Sequence, residues 1–203
     1  MRIGLLILLS LGLAACNRSD EPNTTHGSLF MLVSDSHLPL LQQEASQFMT
    51  EYDKTSVKLA GTTTRGAIVA LLNDSVHCIC VDRTLNTEER DVAKGAGMTV
   101  TPVRIGRDAV VFIINDRNTL KSVSTKTLEG ILNGSVTRWN KIPGTKTSGT
   151  IELVMTGKNS GVYEMLQQRF FHLPKEIALS KVGESERQIA RYVAVTEKAL
   201  GVV

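Results

Sequence analysis

From residue 28 onward, short apolar runs alternate with helix-period segments, and each run ends in a cluster of polar residues. That alternation most constrains the fold, because a strand feeding a helix and then another strand builds α/β units on a mostly parallel sheet. Leu29-Phe30-Met31-Leu32-Val33 reads as a buried strand that stops at Ser34-Asp35-Ser36, residue types that favour helix N-caps. Leu38, Leu41, Ala45, Phe48 and Tyr52 then recur at spacings of three and four, predicting a helix with one apolar stripe to about Tyr52. Val57 and Leu59 alternate with polar neighbours as a half-buried strand, followed by the loop Gly61-Thr62-Thr63-Thr64-Arg65-Gly66 and a helix through Leu72. Residues 76–81 form a third strand candidate ending at Asp82-Arg83, and Asn86-Thr87-Glu88-Glu89 has the composition of a capping box.

The run at 101–115 is unusually long and strand-like, and the crossing into a second lobe is placed there. Ser124 caps a helix carrying Leu128, Ile131 and Leu132, and the stretch from 134 to 142 holds the sole tryptophan, Trp139. Residues 151–155 read as a strand leading into Gly157-Lys158-Asn159-Ser160-Gly161 and a helix with Val162, Met165, Leu166 and Phe170 on its apolar side. A short strand is expected at 177–179, a helix from Ser185 with Ile189 and Val193 inward, and a last strand through Gly201-Val202-Val203.

The first residues belong to export rather than to the fold. Met1-Arg2 precedes the apolar run 3–13, and Ala14-Ala15-Cys16 follows it. A basic start, a short apolar segment and small residues before a cleavage point make a signal peptide, and the run is well short of the ~20 residues a membrane span needs. Leu13-Ala14-Ala15-Cys16 resembles a bacterial lipobox, in which Cys16 is lipidated as the first mature residue. Residues 16–27 are then a polar, flexible tether.

Cleavage after residue 15 removes only Arg2 from the charged set and leaves 22 Lys and Arg against 20 Asp and Glu, so charge gives no argument for nucleic acid. Once Cys16 carries lipid, only Cys78 and Cys80 remain, which excludes a disulfide framework. Those two share a strand face with His77 on the other, so they read as buried thiols rather than a soft-metal site. His26, His37 and His172 show no metal spacing and read as ordinary residues.

The unpaired N–H groups and partial positive charge of a helix N-terminus bind anions without net positive charge. Four polar loops here open helices: 34–36, 62–66, Asp82 with Asn86, and 158–161. Each also reads as ordinary capping, but all four would meet outside the carboxyl ends of the strands, where ligands of open α/β sheets sit. An enzyme reading lacks support, because Ser160 is not in a Gly-X-Ser-X-Gly elbow and no Walker, dinucleotide or zinc motif is present. No cofactor is implied.

Residues 29–203 resemble the phosphate-binding subunits of bacterial phosphate ABC transporters, within the type II periplasmic binding proteins. The resemblance rests on Leu128-Glu129-Gly130-Ile131-Leu132-Asn133-Gly134-Ser135-Val136-Thr137-Arg138-Trp139, on Val81-Asp82-Arg83-Thr84-Leu85, and on Ala199-Leu200-Gly201-Val202-Val203. It implies an α/β, two-lobed type II periplasmic-binding-protein fold, with 28–103 as lobe 1 and 104–203 as lobe 2. The family's return of the chain to lobe 1 is missing, so a truncated chain is expected.

Carried over residue by residue, the resemblance makes Ser34 or Ser36 the first hydroxyl contact, Thr64 the second-loop hydroxyl, Asp82 the acidic acceptor, and Ser160 with Gly161 the helix-start donors. Two departures stand out: Asn159 and Val162 replace a Gly and a Thr, and Thr156 occupies the position of the family's anion-pairing Arg. Arg65 is the substitute candidate, since a guanidinium pairs bidentately with oxyanions. The implied protein is a monomeric, extracytoplasmic receptor for phosphate or a related oxyanion, serving an ABC permease and touching the membrane only through its lipid. The alternative is a degenerate lipoprotein of the same fold acting as an envelope sensor or interaction module.

Overall fold

The computed structural model describes residues 25–171 and 176–203. The signal, Cys16, most of the expected tether and His172 lie outside the described residues. No helix among the described residues is long and apolar enough to cross a membrane.

The first sheet is three-stranded and parallel, in the order β2-β1-β3. Strand β1 (Gly27–Ser34) pairs with β2 (Thr55–Thr62) over its whole length, from Gly27 opposite Thr55 to Ser34 opposite Thr62. Strand β3 (Ile79–Cys80) joins β1 at Leu32 and Val33. This register brings the three carboxyl ends to one edge, so the loops after Ser34, Thr62 and Cys80 leave the sheet together.

Helix α1 (Leu38–Glu51) follows β1, α2 (Thr64–Leu72) follows β2, and α3 (Thr87–Gly95) follows β3. The Asn86–Glu89 capping box forms: the Asn86 side chain accepts from the Glu89 N–H, and the Glu89 carboxylate accepts from the Asn86 N–H. The α1 stripe read from the sequence is not a core face, since no residue of this helix is buried and Leu40 and Phe48 are exposed.

The second sheet runs β4-β7-β5-β6. Strands β5 (Glu152–Met155), β6 (Lys181–Val182) and β7 (Ala199–Val202) are mutually parallel where paired, whereas β4 (Phe112–Ile114) is antiparallel to β7. Helices α4 (Thr125–Leu132), α5 (Gly161–Phe170) and α6 (Glu186–Val195) flank it, capped by Ser124, Ser160 and Ser185 as the sequence suggests. Gly134 takes φ +76 just past the end of α4, in the left-handed region that glycine enters without strain.

The second sheet holds the well-developed core. Trp139, Leu132, Leu153, Met155, Tyr163 and Leu166 are buried in one cluster with Leu200 and Val202. Trp139 is fully buried, and its indole N–H donates to the Lys198 carbonyl at 2.9 Å, which removes the cost of burying that donor.

Three strand readings need correction. In the run at 101–115 the strand is confined to Phe112–Ile114, extended by reciprocal backbone bonds between Val111 and Val203, while Val103 and Ile105 are exposed, because no described strand pairs with 101–110. The expected strand at 177–179 is displaced to Lys181–Val182, and Ile177 is instead buried, its N–H bonded to the Tyr163 hydroxyl at 3.0 Å. The third strand shrinks from 76–81 to Ile79–Cys80.

Candidate anion-binding cleft

Ser34 ends β1 and is buried, and Thr64 opens α2 and is also buried. Thr63, not Thr64, caps α2 by accepting from the Gly66 N–H at 3.1 Å, which leaves the Thr64 hydroxyl available. It donates to Asp82 Oδ2 at 2.5 Å. Ser34 and Ser36 donate to the other carboxylate oxygen, Oδ1, at 3.0 and 3.2 Å. The N-cap position of α1 is held by His37 without a side-chain cap bond, so the serines at 34 and 36 are committed to Asp82 rather than to capping.

His37 completes this side of the cleft. A turn in which its N–H donates to the Ser34 carbonyl at 2.9 Å brings the imidazole back over the strand end. Its Nδ1 then lies 2.8 Å from Asp82 Oδ1, 2.7 Å from Ser34 Oγ and 3.1 Å from Ser36 Oγ. The expectation that His37 is an ordinary residue is therefore corrected. A single His between a strand end and a helix start has no spacing signal, so only the turn geometry reveals it.

The opposite wall is the start of α5. Ser160 caps the helix by accepting from the Tyr163 N–H at 3.2 Å and also accepts from Thr156 Oγ1 at 2.8 Å. Thr156 thus supports the cap instead of supplying charge. Gly161 abuts Asp82 so closely that a Cβ there would fall 1.9 Å from Oδ2, so any side chain would force the carboxylate aside. The Asp82 carboxylate is in consequence set beside the first turn of α5, where the helix dipole favours negative charge.

Two contacts tie the walls together. The Arg65 N–H donates to the Asn159 carbonyl at 3.2 Å, while the Arg65 side chain is exposed. Arg83, next to Asp82, grips Glu89 with two bonds at 2.7 and 2.9 Å and pairs through Nε with Glu164 on α5. Its hydrogen bonds to Glu89 are the main reason the guanidinium holds its proton above the usual arginine range, and they lower the Glu89 carboxyl below its ordinary value. Neither Arg83 nor Glu164 was marked by the sequence, although Arg83 directly follows the expected acceptor.

The remaining sequence candidates lie elsewhere. Cys78 and Cys80 are half-buried free thiols, pushed up by burial, and His77 is exposed beside Asp74. No group of three His, Cys, Asp or Glu among the described residues is arranged to hold a metal.

Three hydroxyls, an imidazole and a helix start thus surround one carboxylate. Residues 18–203 match the profile of the PBP superfamily domain. The fold resembles that of a putative phosphate ABC transporter substrate-binding protein with bound phosphate from Clostridium perfringens, at 20% identity and TM-score 0.77, covering 87% of this chain and 70% of that one. An ABC-type phosphate transport receptor from Vibrio cholerae is similar at 16% identity and TM-score 0.61, with 87% and 71% covered. The OxyR2 C206S regulatory domain from Vibrio vulnificus is similar at 13% identity and TM-score 0.56, with 90% and 73% covered. No curated protein matches the sequence. With the superfamily domain matched from residue 18 to residue 203 and its α/β architecture in place, the chain belongs to the PBP superfamily.

Proposed function

We propose that this protein is a receptor, not an enzyme, that captures phosphate or a similar oxyanion between its two lobes and delivers it to an ABC transporter. One observation carries the reading: Ser34, Ser36 and Thr64 from lobe 1 and the start of α5 from lobe 2 converge on Asp82. The same donors fit the oxygens of a small anion once the carboxylate moves aside, and the similar folds include a phosphate ABC transporter substrate-binding protein with bound phosphate and an ABC-type phosphate transport receptor. Gly161 offers the backbone N–H of the helix start, Ser160, whose own N–H is bonded to the Gly157 carbonyl, offers its hydroxyl proton, and Arg65 stands at the rim. Export and lipidation at Cys16 would hold the receptor outside the cytoplasm.

Selectivity follows from Asp82. Hydrogen phosphate has a proton to give to a carboxylate, whereas sulfate has none at neutral pH and meets only repulsion. Isothermal titration with phosphate and sulfate tests this: Asp82→Asn is expected to lose the preference for phosphate, and unchanged sulfate rejection would sink the assignment. In thermal-shift assays, phosphate at a hundred times its Kd should stabilise the fold by about 2.7 kcal/mol.

A second reading, an envelope sensor or interaction module that retains the fold, is favoured by Thr156 at the family's Arg position. It predicts no thermal shift with phosphate, sulfate or molybdate.

A further inference from the structure

The described residues leave the cleft short of cations. Thr156 is neutral and bonded to Ser160, Arg83 is paired with Glu89 and Glu164, and the Arg65 side chain is exposed. His37 is the one basic side chain among them that pairs with Asp82. Its position is specific: Nδ1 lies 2.8 Å from Asp82 Oδ1, and since a carboxylate can only accept, the approach is favourable with a proton on Nδ1. Nε2 in turn faces Asp108 Oδ2 at 3.7 Å, an ion-pair distance rather than a hydrogen bond, so a second negative charge lies near the ring.

The groups that face His37 come from three other segments. Asp82 follows β3, Asp108 precedes β4, and Glu186 opens α6 close enough to interact with all three. Burial pushes the Glu186 carboxyl above its ordinary range, the Asp108 and Asp82 charges add to that, and His37 opposes it. An oxyanion entering this acidic surround needs one positive group beside the hydroxyls, and histidine is the side chain whose charge changes near neutral pH.

We propose that His37 in its doubly protonated form is the cation of the cleft, performing the charge-pairing role that Thr156 cannot, so that oxyanion capture strengthens as pH falls. This rests on the oxyanion-receptor reading above. When the guest displaces Asp82 from its hydroxyl partners, the imidazolium already lies within reach of the same hydroxyls and donates to the guest. By linkage, phosphate binding and protonation of His37 reinforce each other equally.

The test compares the full chain with its His37→Gln and His37→Lys variants, by titration calorimetry with inorganic phosphate from pH 5.5 to 8.5. Phosphate changes its own protonation over this range, but that contribution cancels in the ratio between variants. His37→Gln is expected to bind about tenfold more weakly at the acid end, as for loss of one charge-assisted hydrogen bond, and to approach the parent at the basic end. His37→Lys, whose charge is permanent, should keep its affinity at the basic end. Calorimetry in buffers of different ionisation enthalpy should also show fewer protons taken up by His37→Gln than by the parent, a difference that a purely structural role would not produce. Superimposable pH profiles and equal proton uptake in parent and His37→Gln would overturn the inference while leaving the receptor reading intact. Absence of phosphate binding by the parent at every pH would overturn both.

Discussion

The two sheets solve the same packing problem unequally. Around the four-stranded sheet, Trp139, Leu153, Met155, Tyr163 and Leu166 are almost fully buried, and a second cluster of Val154, Ile189, Val193 and Ala199 covers the other face. Around the three-stranded sheet, the buried apolar residues are confined to Val33, the inner side of α2, Val76 and Ala93, while Leu29 and Phe30 on β1 stay exposed. Yet it is this thinner half that supplies Ser34, Ser36, His37, Thr64 and Asp82. The stability of the molecule is concentrated in one half and the polar chemistry in the other. Among the described residues, contacts at Asn159, Gly161 and Glu164 and the approach of His37 to Asp108 join them.

The contrast breaks most severely at Trp139. Trp139→Ala deletes the largest fully buried side chain among the described residues and removes one of two donors to the Lys198 carbonyl, which keeps the Glu152 N–H, so a loss of about 3–5 kcal/mol is expected in guanidinium denaturation. If this substitution costs no more than a surface change, the unequal division of the core is wrong. Gly161→Ala comes next, since the added Cβ overlaps Asp82 Oδ2. It is expected to cost about 1–3 kcal/mol as an overpacked contact and to displace the lobe 1 cluster without disturbing the tryptophan fluorescence of Trp139.

The cross-lobe ion pair should matter less. Glu164→Gln removes one partner of Arg83 but leaves Glu89, so about 1 kcal/mol is expected, with a larger radius of gyration by solution scattering. The same cluster sets a pH dependence. Because the folded-state Glu89 carboxyl lies below its unfolded value, its contribution is present above the unfolded pKa, about 4.3, and is lost as pH falls below it. Glu89→Gln should therefore flatten the acid limb of the stability profile. The smallest effect belongs to α1, where Leu40→Ser changes an exposed side chain on a helix with no buried residue and is expected within about 0.5 kcal/mol. A large loss there would mean that the thin half is better covered than its exposure indicates.

The pattern of apolar runs made the α/β alternation legible because each strand end coincides with a capping cluster: Thr63, Asn86, Ser124, Ser160 and Ser185 all cap as their residue types suggest. Strand extents were less legible, since pairing depends on a partner that local hydropathy does not specify, and 101–110 shows this directly. The positions of Ser34, Thr64, Asp82 and Gly161 were chosen by resemblance and do come together in space. What the residue pattern could not carry was His37 and the Arg83–Glu164 pair, because each depends on a turn or a lobe contact rather than on periodicity.

The in-step alignment of Ser34 with Thr62 has a practical side. The cluster around Asp82 is assembled at one rim of the first sheet, so the connections at the far rim, near Asp53 and near Asp74 with its φ of 57, take no part in it. A reporter module spliced in at either place is expected to leave that cluster undisturbed and so to read out the binding proposed for it.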